Sequence, residues 1–280
     1  MKSFKLMTIP YIIWSIIMII LPMVMILFYA FITKGNSVRQ FIFTFDNFLK
    51  FFSDPVFFDV LKRSVYIALI TTLFCIILGY PVAYIIARAK PKTSAILVLL
   101  VTLPTWINML VRTYAWRSIL QENGIAVALL TLMGIKNVKL IETEFAVILG
   151  MVYNFIPFMI LQIYNSLSKL DENYLTAAAD LGANRVQTFL RITLPLSVPG
   201  IVSGITLVFL PAVSSFFIPK LLGGGQFVMI GNVIENQFLT AGNWSFGSAI
   251  SLIMAILIII SMYITRRLDA KITGDGGDDK

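Results

Sequence analysis

Few residues in this chain are equipped for bond chemistry. It contains no histidine, which removes imidazole metal sites and histidine-based proton relays. Cys75 is the only cysteine and lies inside an apolar run, so neither an internal disulfide nor a thiolate cluster can form. No Gly-x(4)-Gly-Lys-Ser/Thr stretch occurs, so the chain cannot itself cradle ATP phosphates. The residues that do form a pattern run from Asp171 to Pro195. Asp171 suits a helix N-cap, and Glu172 complements the first-turn dipole. Ala177, Ala178 and Ala179 carry the helix past Thr176 to Asp180, and Gly182 suits the left-handed position that ends it, before Ala183. Asn184 suits the cap of a second short helix through Ile192 and Leu194, which Pro195 is expected to limit. Val186, Phe189, Leu190 and Thr193 fall on one face at helical spacing. From these residues alone the stretch reads as a docking element or as a merely solvated loop.

The surrounding sequence is apolar. Of 280 residues, 58% are hydrophobic and 13% charged, against roughly a quarter charged in a soluble domain. A bilayer-spanning helix needs about 20 apolar residues. Uncharged windows predict six, near 9–33, 64–87, 94–115, 145–166, 196–219 and 245–264, with Arg112 the one charge inside them. The run from Leu6 to Thr33 is too long for a cleavable signal and is expected to remain as an anchor. Two further segments, Asn47 to Phe52 and Gly124 to Gly134, are too short to span and suit helices lying at the membrane surface. The chain is therefore expected to be one all-α membrane domain over 1–280, with a cytoplasmic loop at 167–194 and a short cytoplasmic tail at 265–280.

The net charge of +8 follows from basic residues flanking spans and implies no nucleic-acid partner. With both termini inside, the inner segments hold Lys2, Lys5, Arg88, Lys90, Lys92, Lys169, Arg185, Arg191, Arg266, Arg267, Lys271 and Lys280. The outer ones hold Lys34, Arg39, Lys50, Lys62, Arg63, Arg117, Lys136, Lys139 and Lys220 at about half that density, so both termini are expected in the cytoplasm. Prolines 22, 81, 104, 157, 199 and 211 lie at membrane depth. The fifth span adds Gly200 and Gly204 at small-x-x-x-small spacing, which reads either as close packing or as a bent, hinging pore helix.

The loop is similar to the Glu-Ala-Ala-x(3)-Gly-x(9)-Ile-x-Leu-Pro signature of bacterial ABC importer permeases. Ala177, Ala178, Gly182, Ile192, Leu194 and Pro195 match at the required spacing, and Thr176 stands where the family has Glu. Phe43 to Phe48 and Leu78 to Tyr84 resemble the entry segment and second helix of these permeases, and Leu103 to Trp106, Leu110 to Trp116, Phe155 to Met159, Leu210 to Ala212, Pro219 to Gly224 and Ile230 to Ile234 resemble the spermidine/putrescine (polyamine) branch, the PotB type. The resemblance covers nearly the whole chain. It implies a type I ABC importer (MetI-like) permease in a bacterial inner membrane that performs no bond chemistry. The loop would be the coupling helix seated on an ATPase. The implied partners are two ATPase subunits, a second similar permease and an extracytoplasmic substrate-binding protein. No cofactor is expected on this chain itself, ATP and Mg being used by the ATPase. Another small solute (an iron complex, sulfate or an opine) is the alternative cargo. An ion-coupled carrier is disfavoured, because only Arg112 among the spans is charged.

Polyamines are extended cations, for which carboxylates and aromatic faces are natural partners. No predicted span contains Asp or Glu. Trp106, Asn108, Tyr114, Tyr153, Asn154, Phe216 and Phe217 are candidates for weak contacts along a translocation path, with helix packing the competing role for each. Arg112 would repel a polyamine and suits a gate or a structural pair, or a side chain snorkelling to the headgroups. Outside, Asp54, Asp59, Glu142, Glu144 and Glu235 either attract cations, meet the binding protein or form a solvated rim.

Overall fold

The computed structural model describes residues 2–33, 42–135 and 138–273. The cations Lys34, Arg39 and Lys136, and the end of the tail including Lys280, lie outside the described residues. The chain begins with α1 (Lys2–Ser15), a π turn at Ile16–Ile20 and α2 (Leu21–Ala30). A two-residue ribbon comes after them, β1 (Ile32–Thr33) antiparallel to β2 (Ile42–Phe43), with Ile32 opposite Phe43. Next come α3 (Asp46–Ser53), α4 (Pro55–Ala87), α5 (Pro91–Thr102), a 3-10 turn at Leu103–Trp106, α6 (Met109–Leu120), α7 (Ile125–Leu132) and α8 (Glu144–Leu167). The last third holds α9 (Glu172–Asp180), α10 (Arg185–Thr188), a π turn at Phe189–Thr193, α11 (Leu194–Val213), α12 (Phe217–Leu222), α13 (Ile230–Leu239) and α14 (Trp244–Thr273).

Five stretches are long and apolar enough to cross a membrane: Pro10–Ala30, Pro55–Ala87, Glu144–Leu167, Arg185–Val213 and Trp244–Arg267. A sixth is broken. Pro91–Trp106 and Met109–Leu132 meet at 89°, where the sequence predicts one straight helix over 94–115. The cause is local. Pro104 tightens the helix end into the 3-10 turn, Ile107 is extended, and Asn108 caps a new helix by accepting the Leu110 N–H at 2.8 Å. The second span also starts earlier than its uncharged window, because Asp54 accepts the Val56 N–H at 3.0 Å and Pro55 suits a first helical position. At 1.5 Å per residue its 33 residues reach about 50 Å, so its first turns, with Asp59, Lys62 and Arg63, extend beyond a core of about 30 Å.

The centre is a bundle of α4, α8 and α11. Water cannot drive helices together inside a bilayer, so close van der Waals approach must. At Gly200 a Cβ would lie 2.7 Å from the Gln162 carbonyl oxygen and 3.2 Å from Ile163 Cα, so α11 seats its backbone directly on α8. Buried hydroxyls add specific ties. Tyr80 and Ser197 share a hydrogen bond of 2.9 Å between α4 and α11. The N-terminal span, by contrast, contacts the bundle mainly through α14 and presents apolar side chains outward, as a lipid-facing helix must. In α3, Leu49 and Phe52 are exposed while Phe51 is buried, and Asn47 donates to the Ala30 and Ile32 carbonyls at 3.2 and 3.1 Å.

Candidate functional site

The Asp171–Pro195 segment closes one end of the bundle. Asp171 Oδ1 accepts the Asn173 N–H at 2.9 Å and opens α9. The helix ends in a complete Schellman motif. The Gly182 N–H reaches the Ala179 carbonyl at 2.9 Å and the Ala183 N–H reaches that of Ala178 at 3.0 Å. Gly182 sits at φ +79°, and a side chain there would meet nothing within 4 Å, so the backbone conformation alone demands glycine. Two residues on, Asn184 and Gln187 form a reciprocal capping box. The Gln187 N–H donates to Asn184 Oδ1 at 2.8 Å and the Asn184 N–H to Gln187 Oε1 at 2.9 Å. Each of these capping bonds is local, made within a few residues.

Beyond this cap the chain departs from the expected short helix. Pro195 does not end it. The helix continues from Arg185 to Val213, through a π turn whose closing bond runs from the Leu194 N–H to the Phe189 carbonyl. A proline has no N–H, and its ring pushes on the carbonyl four residues back. Widening the preceding turn by one residue relieves both. The same device precedes Pro22, where the Leu21 N–H reaches the Ile16 carbonyl. The anticipated apolar face also divides. Phe189 turns inward, edge-on to Tyr80 and Tyr84 with ring centroids 5.7 and 5.9 Å apart, and Thr193 is buried. Val186 and Leu190, one turn apart, point out.

The outward surface of the knob carries several large apolar side chains among polar ones. Leu181 is 88% exposed, and Tyr174, Val186 and Leu190 are exposed too. Thr176, Ala177 and Asp180 lie on the open side of α9, Ala178 is buried beneath them, and Ala183 is half-buried. Ile192 and Leu194 are half-buried at the root of the loop, with Pro195 exposed beside them. Leu181 escaped the sequence reading. The signal available was its position as the apolar residue directly before the C′ glycine, where a helix end leaves nothing to cover it. Behind the knob, a cavity of about 610 Å³ is lined by Gln162, Asn165, Ser166, Asp171, Tyr174 and Ser203, among others. A second, of about 440 Å³, lies between Tyr84, Arg88, Leu167, Thr176 and Thr193.

Neither the seven candidates for a translocation path nor Arg112 line either of these two cavities. Trp106 and Tyr114 are exposed, and Asn108 uses its side chain as the α6 cap. Tyr153 packs edge-on against Trp116 at 5.3 Å, and Phe216 lies against Phe217 at 4.5 Å. Asn154 is buried and donates to the Gly150 carbonyl at 2.7 Å, leaving its Oδ1 without a partner. The Arg112 side chain is mostly covered. It is 9% exposed, and its Nε and Nη1 have no hydrogen-bond partner among the described residues.

The opposite end of the bundle is tied by long-range bonds. The Ile230 N–H donates to Ser64 Oγ at 2.8 Å, the Glu142 N–H to the Leu222 carbonyl at 2.8 Å, and Arg63 Nη1 to the Gln226 carbonyl at 3.3 Å. Glu142 holds a left-handed φ of 61°, uncommon for a residue with a side chain. Its carboxylate accepts from Lys139 at 2.7 Å, and that hydrogen bond holds the Glu142 carboxyl below its ordinary pKa. Asp54 is used as the α4 cap, and Asp59 faces Lys62 at 3.7 Å. Glu144 stands in the first turn of α8, and Glu235 pairs with Lys220 at 2.8 Å.

Residues 75–274 match the family described as the binding-protein-dependent transport system inner membrane component. The chain is 39% identical over 266 residues to a spermidine/putrescine transport system permease protein PotB of Haemophilus influenzae, covering 92% of this chain and 93% of that one. To the protein of the same name from Escherichia coli it is 38% identical, covering 92% and 96%. In fold it resembles a chain of a bacterial ABC transporter for the acidic polysaccharide alginate, at a TM-score of 0.82 and 20% identity over 97% of this chain and 96% of the other. A related structure holds that transporter in complex with an alginate-pentasaccharide-bound periplasmic protein, at a TM-score of 0.81. By family, fold and apolar spans, this chain is a multi-pass inner-membrane permease subunit of an ABC importer, a member of the binding-protein-dependent transport system inner membrane components.

Proposed function

We propose that the chain imports spermidine and putrescine. It would be inserted with both termini in the cytoplasm and work beside a second similar permease, two ATPase subunits and an extracytoplasmic binding protein. The observation that carries the cargo is the 38–39% identity to polyamine permeases across nine-tenths of both chains. ATP and Mg act on the ATPase subunits, and this chain converts their motion into alternating access. The Asp171–Pro195 knob is the coupling element. Its local caps keep its shape under load, and Leu181, Val186 and Leu190 offer the apolar contact that an ATPase cleft would cover.

The continuous helix from Arg185 to Val213 supports this reading, because it joins the knob to the centre of the bundle without a hinge loop. A push on the knob is passed to Phe189 between Tyr80 and Tyr84, to the Tyr80–Ser197 bond, and to the seat of Gly200 on α8. The π turn before Pro195 is the weakest point in that lever and the natural place for it to flex. The test is reconstitution of this permease with its partner permease, ATPase and binding protein in proteoliposomes. ATP-dependent uptake of labelled spermidine or putrescine is expected. Uptake of an iron complex, sulfate or an opine in their place overturns the cargo.

A further inference from the structure

Between α12, the turn at 223–225 and α13, at the end of the bundle away from the knob, lies a cavity of about 310 Å³. Among the residues lining it, only Glu235 is acidic. Its side chain is 18% exposed, too enclosed for water to solvate it fully, and Lys220 Nζ meets its Oε1 at 2.8 Å. Asn232 is already engaged at both ends of its amide. Its Oδ1 takes the Met229 N–H at 3.1 Å and its Nδ2 donates to the Phe216 carbonyl at 2.8 Å, so it holds α13 in place instead. Phe227 adds a half-buried aromatic wall.

This pair differs from the other two described. Lys62–Asp59 and Lys139–Glu142 join residues three apart whose side chains are both well exposed, whereas Lys220–Glu235 spans 15 residues and lines a cavity. The Lys220 side chain is 56% exposed, so its ammonium enters an enclosed carboxylate from the solvent side. With its ammonium reached from solvent, Lys220 is open to displacement by a competing cation. A lysine side chain, four methylenes ending in a primary ammonium, is the same chemical group as one arm of an aliphatic polyamine.

We propose that Glu235 is an entry subsite for primary ammonium groups, and that Lys220 is its tethered surrogate, filling the site until an arriving amine displaces it. This rests on the amine cargo proposed above. The enclosed carboxylate supplies the attraction, and the surrogate keeps that carboxylate paired when no amine is present. Lys220 also sets a threshold, since a monovalent cation without N–H donors cannot replace its hydrogen bond.

The test uses the complete assembly. Equilibrium binding of labelled spermidine is measured on the permease–ATPase complex without binding protein, and uptake is measured in proteoliposomes with it. Lys220→Met empties the site and is expected to tighten binding by about three- to tenfold. Glu235→Gln is expected to weaken binding by about tenfold or more, and the double variant to match Glu235→Gln. A merely structural bridge predicts that both single variants weaken binding and thermal stability alike, and that outcome overturns the proposal. Unchanged binding in Lys220→Met overturns it as well, and that variant decides alone if Glu235→Gln fails to assemble. A wild-type complex that transports no amine defeats the cargo reading and this inference together. Normal wild-type uptake with like-behaving variants defeats only the inference.

Discussion

At the knob, the polar contacts that shape the turn are made within a few residues of one another, from the Asp171 cap to the Asn184–Gln187 box. At the opposite end, the chain is held by bonds between distant residues. Ser64 meets Ile230 across 166 positions, and Arg63 meets Gln226 across 163. The two ends also present different chemistry, exposed apolar side chains at the first and lysine-paired carboxylates at the second. Under the proposed coupling role, the contrast fits what each end would have to do. A knob gripped by another protein must keep its shape while the bundle changes, so its shape is self-contained. An end that opens and closes must be tied to several helices at once, and its polar pairs must be able to exchange partners.

The strongest way to break this comparison is at Gly182. Gly182→Val places a β-branched residue at φ +79° and is expected to cost about 1–2 kcal/mol or more locally and to abolish ATP-coupled uptake. Gly182→Asn should keep most of it, because asparagine tolerates that conformation and the space around the Cβ is empty. Equal loss in both variants, or unchanged uptake in the valine variant, would refute the role of the turn. Next is Leu181→Asp, which should weaken ATPase association by about 2 kcal/mol, read by co-purification, with thermal stability of the isolated permease unchanged.

At the opposite end, Ser64→Ala leaves the Ile230 N–H buried without an acceptor. It is expected to lower permease stability by about 1–3 kcal/mol, measured by thermal unfolding in detergent, without loss of ATPase association. The smallest effect belongs to the Lys139–Glu142 pair. Lys139 depresses the Glu142 pKa, so the stabilisation from Glu142 is complete above the ordinary carboxylate value of 4.5 and is lost as pH falls through the depressed folded value. Lys139 is raised above 10.5, so its share is present below that value and is lost only as pH rises through the raised one. Wild type and Lys139→Met should therefore differ slightly and constantly at neutral pH and converge as pH falls below the depressed Glu142 value. A gap that persists there would locate the effect of Lys139 elsewhere.

How much of this was written in the sequence depends on the range of the interaction. The six apolar windows reported composition, which the bilayer imposes on any spanning helix, and the caps at Asp171, Gly182 and Asn184 reported bonds that close within a few residues. The missing ATP-binding loop was likewise legible as a missing motif. The bend at Ile107–Asn108 was not, because a hydropathy window averages over a proline turn and an asparagine cap that are each compatible with either a kink or a break. Nor was the passage of the helix through Pro195, since only the π turn, held by Phe189 against Tyr80 and Tyr84, makes the proline tolerable there. The sequence alone determined a six-segment apolar chain with a self-capped helical knob. Tertiary structure decided which of its polar groups meet: Glu235 in a cavity with Lys220, and Arg112 buried with no partner for its Nε and Nη1 among the described residues. Those pairings depend on helices that are distant in the chain and adjacent only once packed.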